Sequence, residues 1–109
     1  MTSSGRLRLK KVRHARTLIG VFAIVLSVPG SNSLKDKRQV LRSLKDRLRA
    51  KFNVAVAELE YHDTWQRSVV GIVTISNEEH HLEESLQQVL AEADNILGPL
   101  LISHTVELI

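Results

Sequence analysis

Residues 18–30 read LIGVFAIVLSVPG, an apolar run from Leu18 to Leu26 closed by Val28-Pro29-Gly30. A basic stretch precedes it, and basic residues followed by a short apolar run also describe a secretory signal peptide. The run is too short for a membrane helix, which takes about 20 apolar residues. Its Ile and Val content, Phe22 and the terminal Pro-Gly turn suit a buried central strand instead. The choice decides the fold, because the rest of the chain supplies only three further strands for two helices.

Downstream, Ser33-Leu34-Lys35-Asp36 opens a helix in the manner of a capping box. Leu34, Leu41, Leu44, Leu48 and Phe52 recur at helical spacing, with Val40 widening the stripe. This first helix is expected to stop near Asn53, a residue that tolerates a left-handed terminus. From Val54 to Tyr61 the chain alternates, and Arg67–Ser76 follows after the loop His62-Asp63-Thr64-Trp65-Gln66, so the two segments read as a hairpin. A second helix is expected from Asn77, with Leu82, Leu86, Val89, Ala93 and Ile96 on one face and Gly98-Pro99 as its stop. Leu101 to Ile109 alternates again, and His104 falls among its apolar positions as a core or interface histidine. Strand, helix, strand, strand, helix, strand is the split βαβ order. The expectation is an α+β, ferredoxin-like βαββαβ sandwich with a four-stranded antiparallel sheet and two helices on one face. Residues 17–109 form that domain and residues 1–16 a basic, disordered tail.

The chain's net charge of +3 conceals this division. Arg6, Arg8, Lys10, Lys11, Arg13 and Arg16 lie in the tail with no acidic residue, so the remainder is mildly acidic. There is no cysteine, which excludes disulfides, thiolate metal sites and a cysteine nucleophile, and fits a cytoplasmic protein.

The segments Val28-Pro29-Gly30-Ser31-Asn32-Ser33-Leu34-Lys35-Asp36-Lys37-Arg38, Leu44-Lys45-Asp46-Arg47-Leu48, Phe52-Asn53-Val54-Ala55-Val56-Ala57-Glu58 and Trp65-Gln66-Arg67 resemble the bacterial DUF503 (YlxP-like) family over residues 18 to 97. The resemblance implies a ferredoxin-like fold and no established activity. It also implies a gene setting among translation initiation and ribosome maturation genes. The basic N-terminal stretch departs from the family pattern and is either a true extension or an early start assignment.

Chemistry concentrates on the first helix. Lys35, Arg38, Arg42, Lys45 and Arg49 fall within an arc of about 80° and make a positive stripe roughly 21 Å long. Lys35, Lys37 and Arg38 stand at the positive end of the helix dipole, against the usual preference, whereas the second helix keeps the rule with Glu78 and Glu79. An anion-binding ridge follows, helped by backbone N–H groups after Pro29-Gly30-Ser31-Asn32. The competing reading is a solvated face attracted to the acidic second helix. Trp65, Gln66 and Arg67 form a second candidate, a stacking anchor at the hairpin tip.

The strand Arg67-Ser68-Val69-Val70-Gly71-Ile72-Val73 has no aromatic, so RNA stacking on the sheet is not expected. The open sheet face is expected to be aliphatic, drawing on Val21, Ala23, Val25, Val70 and Ile72, with Val21, Val25, Val70 and Ile72 as an oligomer interface. His80 with Glu84 lacks further metal ligands, and His62 beside Asp63 lacks a nucleophile. No nucleotide loop of the GxxxxGK[ST] type is present. The reading is therefore a non-enzymatic accessory protein, without cofactor or membrane association, that binds structured RNA or a ribosomal subunit through the ridge and the Trp65 loop. A homo-oligomeric adaptor is the alternative, and an enzyme acting on an anionic small molecule the third.

Overall fold

The computed structural model describes residues 17–30 and 32–108; the tail assigned to residues 1–16 lies outside the described residues, as do Ser31 and Ile109. The elements run β1 (Leu18–Ser27), α1 (Leu34–Lys51), β2 (Ala55–Glu60), β3 (Arg67–Ser76), α2 (Glu79–Leu97) and β4 (Leu101–Leu108), with a short 3-10 turn at Gly98–Leu100. The sheet order is β2-β3-β1-β4, antiparallel throughout. That order is the ferredoxin-like split βαβ arrangement. The contested run is thus a central strand, paired on both sides.

Along β1 the side chains alternate as a half-covered strand requires. Phe22, Ile24 and Leu26 are buried toward the helices, while Ile19, Val21, Ala23 and Val25 are half-buried on the other face. The inward set packs with Leu41, Leu44 and Leu48 of α1 and Leu82, Leu86 and Val89 of α2. Gly20 lets α2 approach β1 closely, since a Cβ there would lie 2.8 Å from Leu86 Cδ1. No helix among the described residues is long and apolar enough to cross a membrane.

The helix ends follow their sequences with local differences. Ser33 is the N-cap of α1, and its hydroxyl accepts from Asp36 N at 3.2 Å. Asp36 reaches back one residue further than a capping box does, accepting from Asn32 N at 3.0 Å. α1 ends at Lys51 with Phe52 as an extended C-cap, so the left-handed stop expected at Asn53 does not form. Instead the Asn53 carbonyl accepts from Thr74 Oγ1 at 2.8 Å, which holds the chain extended into β2. α2 begins at Glu79 rather than Asn77, because the Glu78 side chain caps it by accepting from His81 N.

Two face assignments need correction. Val70 and Ile72 are not on the open sheet face; they are 1% and 0% exposed, in the core. The register pairs Val21 with Val73 and Val25 with Val69, so the outward residues of β3 are Val69, Gly71, Val73 and Ile75. β3 is aliphatic on both faces, and its polar residues Ser68 and Thr74 point inward to hydrogen-bond partners, so alternation alone carries no parity. His104 is exposed rather than a satisfied core residue. It pairs with Ile24 on the helix side, but β4 is an edge strand that α2 does not cover, and the imidazole rests edge-on against Phe22 at 5.6 Å.

Candidate nucleic-acid interface

Helical spacing places Arg38, Arg42, Lys45 and Arg49 on the edge of α1 that overhangs β2. Together with Asp46, Leu41, Ala57, Glu58 and His62 they line an open cleft of about 650 Å³. Arg38, Arg42 and Arg49 are exposed and Lys45 is half-buried. Arg49 is anchored, donating from a guanidinium nitrogen to the Val56 carbonyl at 3.1 Å, and so covers part of the β2 edge. Arg38, Arg42 and Lys45 have no ion pair or hydrogen bond among the described residues. Lys35 is exposed one turn earlier and does not line the cleft.

The acidic second helix does not neutralise this edge. Among the described residues one ion pair joins the helices, Lys51 to Glu92 at 2.8 Å, and Lys51 stands on a different side of α1 from the stripe. Two acidic side chains line the cleft: Asp46 has no ion pair among the described residues, and Glu58 is already engaged by Lys37 at 2.9 Å and by the Ser68 hydroxyl.

Lys37 itself leaves the ridge. Its side chain is 0% exposed, held by Glu58 and by the carbonyls of Tyr61 and, at 3.2 Å, Arg67. It cannot meet a solvent anion. At 100° per residue Lys37 falls in the middle of the Leu34, Leu41, Leu44, Leu48 stripe, a signal that was available in the sequence. The backbone at the start of α1 is also less open than a phosphate site requires, since the N–H groups of Asn32 and Asp36 are already donated within the cap.

At the hairpin tip, Trp65 is 52% exposed and borders a shallow depression with Asp63, Thr64 and Gln66. Lys37 ties down both ends of this loop through the Tyr61 and Arg67 carbonyls. Tyr61 turns the chain with φ 67°, and Gln66 fixes the loop to the end of β1 by accepting from Val28 N at 2.9 Å. Arg67 stacks over Tyr61, its guanidinium 5.7 Å from the ring centroid, rather than standing with Trp65. His62 joins loop and cleft: it lines the cleft, and its Nε2 lies 3.0 Å from the Glu58 carbonyl. His80 and Glu84 lie 3.8 Å apart on exposed α2, remote from this constellation in the chain.

The DUF503 family model, described as a protein of unknown function, matches residues 19–103. The chain belongs to the DUF503 family. It is 40% identical over 78 residues to the uncharacterized protein YlxP of Bacillus subtilis (strain 168), covering 72% of this chain and 85% of that protein. Among solved structures, the de novo designed protein Foldit4 is similar with a TM-score of 0.54 and 11% identity, over 85% of this chain and 96% of that one. The designed protein Ferredog-Diesel is similar with a TM-score of 0.54 and 14% identity, over 98% and 99%. These likenesses concern the DUF503 fold; function must be argued from the site.

Proposed function

We propose that this DUF503 protein is a non-enzymatic cytoplasmic accessory protein that binds structured RNA, free or in a ribosomal subunit, through the α1–β2 cleft and the Trp65 loop. The observation that carries the proposal is the trio Arg38, Arg42 and Lys45, gathered at one open cleft with no acidic partner among the described residues. Of the basic side chains from residue 17 onward, Arg67 alone lies outside α1, so the domain's positive charge is concentrated on one helix although its net charge is negative. Such a site follows phosphates and supplies affinity with little base readout. Trp65, exposed on a loop whose two ends Lys37 holds, offers one aromatic surface for a splayed base. The outward faces of β1 and β3 carry no aromatic side chain, so the sheet is not the RNA platform.

Sedimentation of tagged protein with ribosomal subunits tests this reading. Co-sedimentation at low salt that is lost in a high-salt wash is expected. Absence of any association with subunits or free ribosomal RNA at low salt contradicts it.

A further inference from the structure

We propose that the outward face of the sheet is the interface of a homodimer, in which two copies pack sheet against sheet with their helices outward. The register brings Val21 beside Val73 and Val25 beside Val69, with Ile19 and Ile75 completing an aliphatic band across the two central strands. Leu59 extends the band from β2 by lying across Gly71, where a Cβ would come within 2.7 Å of its Cδ1. Ile75, Leu59 and Val73 are 57%, 53% and 39% exposed, a contiguous apolar surface that no helix covers among the described residues.

Polar residues form its boundary. β4 presents Thr105 and Glu107 outward opposite Ala23 and Val21, and Arg67 and Ser27 close the far end. An apolar centre with a polar rim is the anatomy of a protein interface, and homodimer interfaces are the more apolar kind. Strands about 4.8 Å apart and about 3.3 Å of rise per residue give the four-stranded face roughly 500 Å² on each copy. Two copies then cover about 1,000 Å², the lower bound for a specific interface. The shape selects the occupant: a right-twisted sheet packs best against another sheet of the same twist, aligned at about −30°. A second copy supplies that surface.

The test uses the full chain at high salt, where RNA cannot bridge copies, so its outcome is independent of the RNA reading. Sedimentation equilibrium should give twice the 12.3 kDa chain mass. Val73→Glu with Ile75→Glu should raise the dissociation constant at least about a hundredfold, because four carboxylates, two from each copy, would be buried unpaired, while circular dichroism stays unchanged. The chain has no cysteine, so Val73→Cys offers one defined thiol on the sheet face, and a bifunctional thiol cross-linker, which spans a distance a disulfide cannot, should yield a covalent dimer that Ser43→Cys on α1 does not. A wild-type chain at single mass at 100 µM (about 1.2 mg/ml scale), or a dimer unaffected by the glutamates together with equal cross-linking at both positions, overturns the proposal.

Discussion

The ammonium of Lys37, on α1, lies 2.9 Å from Glu58 Oε2, on β2, with no solvent exposure of the lysine side chain. The same nitrogen donates to the Tyr61 and Arg67 carbonyls, so one buried cation joins the first helix, an edge strand and both ends of the Trp65 loop. A buried charge is tolerable only when its donors are satisfied, and here three partners do so.

Removing that cation should be costly. Lys37→Met is expected to destabilise the protein by about 3–5 kcal/mol in urea unfolding, since Glu58 and two loop carbonyls lose their donor. Trp65 is the sole tryptophan, so its fluorescence anisotropy should fall in the folded variant as the loop ends are released. Lys35→Gln, at an exposed site two residues away, should be neutral or stabilising by up to about 0.5 kcal/mol. Equal effects of the two changes would refute the assignment.

The two strand glycines should respond differently to alanine. At Gly20 the new Cβ meets the buried Leu86 at 2.8 and 3.1 Å and Leu82 at 3.3 Å, and a cost of about 1–3 kcal/mol is expected. At Gly71 the neighbour is the exposed end of Leu59, which can swing away, so the change should stay within about 1 kcal/mol. Thermal unfolding of the two variants ranks them.

Ser33→Ala should cost about 1 kcal/mol by freeing Asp36 N, with Asp36 still bonded to Asn32 N. Chemical denaturation measures it, and a loss no larger than that of Ser43→Ala, at an exposed mid-helix position, would show that the cap contributes nothing.

The fold was legible because its periodicities are clean: Leu41, Leu44 and Leu48 on α1 and Leu82, Leu86 and Val89 on α2 fall where their spacing puts them. The outward face was only half legible. β1 shows its parity once Phe22 is placed inward, but β3 does not, because Val69, Val70, Ile72 and Val73 offer aliphatic side chains to both sides. Lys37 is hard to place from sequence for a related reason. Its charge points to the surface while its angular position lies within the leucine stripe, and its partner Glu58 lies on another element that spacing cannot locate.

RNA binding by the α1–β2 cleft is tested most directly by the salt dependence of affinity for a single-stranded RNA, measured for the wild type and for the triple variant Arg38→Gln, Arg42→Gln, Lys45→Gln. If the three side chains contact phosphates, the slope of log K against log salt should fall by about 2, at roughly 0.7 per lost contact, with similar losses across RNA sequences. The melting temperature should be almost unchanged, since none of the three has an ion pair or hydrogen bond among the described residues. An unchanged slope with a lowered melting temperature would contradict RNA binding at this cleft and return its cations to a purely structural role.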